Sequence, residues 1–211
     1  MYKNNDSDPD HASNFPRAHQ LRPGHKILAS AISSCPPRHV AAFLVQIFFK
    51  YSESYLFFVE ESWVHEQLTL LYSEPERLTK DGGEAIVAIL LTIFAIGTQY
   101  AHLESSKQYN IGGSAPAFSE DAIGTMFYQQ AIRLLPEIIE ASSLESVQAC
   151  LLFGYYALPV DASGLGFIYI SLTIRLAMQN GMHRKCTNDA FSPAMTEIRN
   201  RVWWTAYVLE R

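Results

Sequence analysis

Cysteine is scarce and dispersed in this chain. Cys35, Cys150 and Cys186 form no Cys-x-x-Cys pair, so four clustered thiolates around a zinc ion are excluded. An odd number of thiols and a polar opening from Met1 to Asp6, without the apolar core of a secretory signal, read as reduced cysteines in the cytosol or nucleus. Asn5-Asp6-Ser7 has the form of a glycosylation acceptor, which has no meaning without export. Positive charge is also in short supply. Acids outnumber bases 21 to 16 and the formal net charge is −5, so affinity through phosphate neutralisation by these residues is not expected.

Other signatures are missing too. There is no His-Glu-x-x-His run, and Glu61 and His65, four apart, find no second His or Cys to complete a metal set. Gly164-Leu165-Gly166 lacks the third glycine and preceding strand of a phosphate loop, and Gly112-Gly113-Ser114 lacks the following glycine of a nucleophile elbow. Asp-rich metal-binding runs, which an all-α isoprenoid enzyme would need, are absent as well. The longest apolar run, Ala85 to Gly97, falls short of the roughly 20 residues that cross a bilayer and reads as a buried core helix.

What remains is a chain with 48% hydrophobic and 18% charged residues over 211 positions, enough for one domain with a sizeable core. Residues 1–34, rich in Asn, Asp, His, Pro and Ser, read as a mobile polar leader. Pro36-Pro37 precede a helix from Arg38 to Tyr51 with a stripe of Val40, Phe43, Leu44, Ile47 and Phe48. Aromatics continue through Tyr55, Phe57, Phe58 and Trp63. Asp81 and Glu84 have the spacing of a capping box for a helix over Gly82–His102. A loop from Ser105 to Ala117 follows, and then a helix capped by Ser119 that Pro136 ends or kinks.

Ser142 and Glu145 read as a second capping box, opening a helix through Val147, Cys150, Leu151 and Gly154, and Pro159 ends it. Asp161 or Ser163 restarts the chain. The helix Leu165–Asn180 is expected to carry Ile168, Leu172, Leu176 and Gln179 on one face, with Gly181 as its left-handed stop. His183, Arg184 and Lys185 sit where they favour the negative end of the helix dipole, with His183 capping carbonyls. Ser192-Pro193 opens the final helix. No strand pattern appears. The fold class is all-α, a multi-helix antiparallel array.

Two runs in the last third carry a resemblance. Arg175-Leu176-Ala177-Met178-Gln179-Asn180-Gly181-Met182-His183-Arg184 is similar to the "R-x-A-x-x-x-G-x-H-R" run of the middle homology region of fungal zinc-cluster transcription factors. Glu197, Arg199, Arg201, Trp203, Trp204, Tyr207, Glu210 and Arg211 stand at the positions of that region's later charged and aromatic helix. The segment Ser142 to Leu152 resembles the helix opening the same segment. Upstream, Val59-Glu60 stand where the family pattern has a proline. The resemblance covers 35–211 and is specific from Leu144 onward.

It implies the front part of a regulatory domain, incomplete at the C-terminus, in a nuclear protein without catalytic residues. It further implies that DNA is reached only through a six-cysteine zinc cluster that these residues do not contain, so zinc is not expected in this chain. The implied partners are a small-molecule effector or a co-regulator protein, with self-association as a homodimer also open, and no membrane. Within the motif, Glu197 and Arg201 are four apart, so a surface ion pair worth ~0.3–0.5 kcal/mol is one reading. The sharper one buries Arg175 and pairs it with Glu197 across a helix contact, because an unpaired buried guanidinium is costly. Trp203 and Trp204 diverge by about 100°, which sends one indole into the core and the other to its edge. An aromatic pocket wall is the alternative. A rival reading, an interaction module, would need exposed stripes on Phe48, Phe57 and Trp63. An all-α enzyme would need converging titratable groups.

Overall fold

A computed structural model describes residues 26–52, 56–80, 83–108, 117–160, 164–185 and 191–211. They form ten helices, with no strand among the described residues: α1 (Lys26–Ser33), α2 (Arg38–Ser52), α3 (Glu61–Ser73), α4 (Pro75–Lys80), α5 (Glu84–Gln108), α6 (Ala117–Ile132), α7 (Leu135–Ala141), α8 (Leu144–Ala157), α9 (Leu165–Gln179) and α10 (Pro193–Glu210). The all-α expectation is met.

Helix α5 organises the array. Its apolar residues run around the whole cylinder, the pattern of a helix enclosed by others rather than one with a single wet face. Every residue from Val87 to Gly97 is buried. Helices α1 to α4, α6, α7 and α8 all pack on it, most extensively α6, α2 and α8. Glu84–Ala101 is long and apolar enough to cross a membrane, but most of it is covered by these neighbours. The α2 contact is unusually close at Gly97, where an added Cβ would lie 2.6 Å from the carbonyl oxygen of Leu44. Helix α8 is the second enclosed element, with an unbroken buried run from Ser146 to Gly154. Its Cys150 is wholly enclosed, and burial pushes that thiol up to about 12, so no reactive thiolate forms there.

The local punctuation follows chemistry, with shifts of a residue or two. Gly181 takes the left-handed conformation after α9, φ +71°. The Ser192 hydroxyl accepts the Met195 N–H at 3.2 Å, with Pro193 in the first turn. Before α8, Ser143 rather than Ser142 is the cap, and its box closes on Ser146 rather than Glu145. Ser142 instead ends α7 in a left-handed conformation, φ 44°. Pro136 sits in the first turn of α7, so the chain breaks there and a new helix begins. Helix α6 starts at Ala117, which places Ser119 inside it. The boxes or restarts built on Asp81, Asp161 and Ser163 lie outside the described residues.

Three expectations fail on tertiary grounds. Lys26–Ser33, inside the segment read as a mobile leader, is a helix that buries Leu28 and Ala31 against the core. On α9 the buried face is Gly166, Tyr169, Ile170, Thr173, Leu176 and Ala177, while Ile168 is 63% exposed and Gln179 is also exposed. The small residues decide this rotation. Gly154 and Gly166 let α8 and α9 approach so closely that a Cβ on Gly154 would meet Ile170 at 2.7 Å. Phe43 of α2 likewise lies outside its helix's buried stripe, at 43% exposure.

Glu137 on α7 provides a pH test of this packing. Burial, and then the like charges of Glu84 and Glu140, hold its carboxyl above the usual range, and Oε2 is buried without a hydrogen bond. The folded chain therefore keeps that proton more tightly than the unfolded one. This contribution favours folding in acid and is lost as pH rises through the raised value. Glu137→Gln is expected to stabilise near neutral pH, by roughly 0.5 kcal/mol or less because the side chain as a whole is only partly buried. The gain should vanish below the carboxylate range, as thermal melts at the two conditions would show.

Candidate functional site

Helices α9 and α10 and the turn at 180–185 that follows α9 hold most of the residues singled out in the sequence. The turn is built from the Gly181 stop. Its N–H donates to Met178, and the Met182 N–H donates to the Ala177 carbonyl at 2.9 Å, which folds Met182 into the core. Asn180 then ties the turn to its surroundings. Its side-chain amide donates to the carbonyl of Ser142 at 2.7 Å and to that of Leu176 at 2.9 Å. Its own carbonyl accepts from the Arg199 guanidinium at 2.6 Å. One asparagine thus joins the α7–α8 corner, the end of α9 and α10.

Arg199 is held on its other side by Phe191, whose ring centroid lies 4.4 Å from the guanidinium carbon. Arg199 stands in the motif helix without a role that the sequence assigns, and Asn180 falls at an unspecified position of the first run. The signal for Asn180 is its place immediately before the stop glycine, and that for Arg199 its position between the two charges of the motif helix.

The pairing of Arg175 with Glu197 does not occur. Both side chains are exposed, and no ion pair joins them. Arg175 sits on the outer face of α9 because the Gly154–Gly166 contact turns Tyr169, Thr173 and Leu176 inward. Thr173 satisfies its buried hydroxyl on the Tyr169 carbonyl at 2.8 Å. Glu197 and Arg201 do not pair either. Arg201 lies over Phe57, its guanidinium carbon 3.8 Å from the ring centroid, a cation–π contact that its helical neighbour does not offer.

That contact belongs to a clamp on residues 56–60. Thr205 of α10 accepts the Phe57 backbone N–H at 3.0 Å, and Gln148 of α8 donates to the Phe58 carbonyl at 2.9 Å. The Phe58 ring is fully buried between Phe48, at 6.1 Å, and Tyr155, at 4.7 Å between centroids. Backbone groups of an extended segment need partners when buried, and these two side chains supply them from helices far along the chain.

The twin indoles separate as their 100° divergence requires. Trp203 is half-buried against the core and lies 6.1 Å from the His183 ring and 6.4 Å from Tyr207. Trp204 is 60% exposed and meets Tyr207 edge-on, with Val208 equally exposed one turn on. Internal packing therefore describes Trp203 and not Trp204. His183 does not cap a helix carbonyl; its Nε2 accepts from Arg184 Nε at 3.1 Å. The Arg211 guanidinium lies 5.4 Å from the Tyr207 centroid.

Phe48 and Phe57, two of the side chains on which an exposed association face would rest, are buried. Glu61 and His65 approach to 3.8 Å on the surface of α3. Among the described residues, no three His, Cys, Asp or Glu side chains gather in a metal-binding group.

The fungal specific transcription factor domain matches residues 45–211. The chain belongs to this family. It is 31% identical over 201 residues to an uncharacterized transcriptional regulatory protein of Schizosaccharomyces pombe, covering 95% of this chain and 24% of that protein. The thiamine repressible genes regulatory protein of the same yeast is 26% identical over 186 residues, 88% of this chain and 23% of its own length. The acetamidase regulatory protein of Aspergillus fumigatus is 24% identical over 213 residues, 99% of this chain and 25% of its own length. The chain thus spans about a quarter of these transcriptional regulators. No solved structure matches it.

Within the fungal transcription factor domain, the motif residues act as joints between helices. Arg199 joins α10 to Asn180, which ties on to the α7–α8 corner, and Arg201, with the non-motif Thr205 one turn on, joins α10 to Phe57.

Proposed function

We propose that this chain serves as a regulatory segment of a nuclear transcription regulator, without catalytic activity of its own, and that DNA is contacted elsewhere in the longer protein through a zinc-holding cysteine cluster. The observation that carries the reading is the use of the family's motif residues as helix joints. Arg199 and Arg201, two cations of the motif helix, are engaged with Asn180, Phe191 and Phe57 and so hold α10 to the rest of the array.

Regulation would then be a shift between packings of α10. Its contacts reach α9, α8 and the 56–60 segment, so a small-molecule effector or a co-regulator that prefers one packing would change what the array presents. An effector acts only through unequal affinity for the two forms. Homodimer formation would act on the same equilibrium.

The test separates this chain from its DNA-binding partner region. The 211-residue chain is expected to show no sequence-selective DNA retention at low salt. Fused to an unrelated DNA-binding domain, it should alter reporter transcription, and disrupting the Thr205 clamp should change that output. Tight, sequence-selective retention by the chain alone, with the steep salt dependence of phosphate contacts, would overturn the division of labour.

A further inference from the structure

We propose that the cleft between the turn that follows α9 and the face of α10 is a binding site for a small oxyanion, a carboxylate or phosphate group carried by a metabolite. Three cations line this cleft, Arg184, Lys185 and Arg199, together with Thr196 and Asn200. No carboxylate lines it among the described residues, although acids outnumber bases in the chain as a whole. None of the three cations is in ion-pair contact with a carboxylate among the described residues. Like charges gathered on one cleft repel one another, and an oxyanion lowers that repulsion.

The donors are also arranged. Arg199 is fixed by the Asn180 carbonyl and the Phe191 ring, and a guanidinium has five N–H donors, so others remain for a ligand. Thr196 and Asn200 lie one helical turn apart on α10, on either side of Arg199 in sequence, and add neutral donors. The cleft holds about 100 Å³. Sites for drug-sized molecules run from roughly 300 to 1,000 Å³, so the space suits an anionic head group with the rest of the ligand outside.

A ligand here would touch both the turn after α9 and the body of α10. It would bind the form in which α10 rests on that turn, which is the packing that Asn180 and Arg199 already hold. The site thereby deepens the regulatory reading by naming the chemistry of the effector. Its occupancy is measured without DNA or transcription, so the two ideas fail separately.

The experiment uses the 211-residue chain with inorganic phosphate and with malonate, each against sodium chloride at matched ionic strength. At ten or so times its dissociation constant, a bound oxyanion is expected to raise the Tm by ~3–6 °C. The backbone amides of Thr196 to Asn200 should shift saturably in NMR spectra. A double variant, Arg184→Gln with Lys185→Gln, removes two cations and leaves the Asn180 and Arg199 hydrogen bonds in place. It should melt like the parent without ligand and lose most of the response. A response to one probe alone assigns the head group to phosphate or carboxylate. Shifts no larger than those with chloride, or an undiminished response in the double variant, would overturn the site. So would capture of an acidic peptide with no response to either small anion.

Discussion

Phe58→Ala is expected to destabilise the chain by ~3–5 kcal/mol, the cost of emptying a buried aromatic site. At this length that corresponds to a fall in Tm of about 8–15 °C. The ring is 0% exposed and rests on Phe48 and Tyr155, so its loss opens a void bordered by α2 and α8 together. The backbone around it cannot close over the gap, because Thr205 holds the Phe57 N–H and Gln148 holds the Phe58 carbonyl. Phe58→Leu should recover much of the loss. Urea unfolding of both variants checks this; an alanine variant within 1 kcal/mol or so of the parent, well outside the usual aromatic range, would mean that the segment is not clamped as described.

Gly97→Ala reverses an ordinary rule. In an exposed helix the exchange gains about 1 kcal/mol of helix propensity. At Gly97 the added methyl would stand 2.6 Å from the Leu44 carbonyl oxygen and 3.0 Å from its Cβ. The nearer atom is backbone, which cannot rotate away, so α2 and α5 must separate. Overpacking of this kind costs ~1–3 kcal/mol and occasionally more, and it should exceed the propensity gain. Gly97→Val, with two further carbons and a β-branch, should be worse. Melting curves of the two variants give the order parent, alanine, valine; an alanine variant more stable than the parent would show that the two helices do not meet there.

Several elements were legible in the sequence because their causes are local. Gly181 ends α9 since a left-handed residue without Cβ costs little, and Ser192-Pro193 opens α10 through a side-chain acceptor and a preset φ. Both signals sit within a turn of the boundary they set. The capping box before α8 was legible as a type but not as an address. Ser142 and Ser143 are chemically alike, and only the left-handed end of α7 decides which one caps.

Charge partners were less accessible. Periodicity places Arg175 near apolar neighbours, yet its exposure depends on how α9 rotates against α8, and that rests on Gly154 and Gly166 meeting across a helix crossing. Likewise Arg201 has a carboxylate four residues away and instead meets the ring of Phe57, far upstream in the chain. No spacing rule reaches that far. The family resemblance placed Trp203 and Trp204 in a packed helix, and packing then treated them differently. Helix α1 escaped notice for another reason. Eight residues are too few to hold a helix alone, and the burial of Leu28 and Ala31 supplies what local propensity does not.

The Thr205 bond to the Phe57 amide spans 148 residues. On a ribosome adding ~5–20 residues each second, Phe57 is made roughly 7–30 s before its acceptor exists. During that interval the newborn chain carries Phe57 and Phe58 without the helix that will lock them in place. A chaperone that shields aromatic segments would find its target there, and the yield of folded protein will depend on how quickly α10 follows.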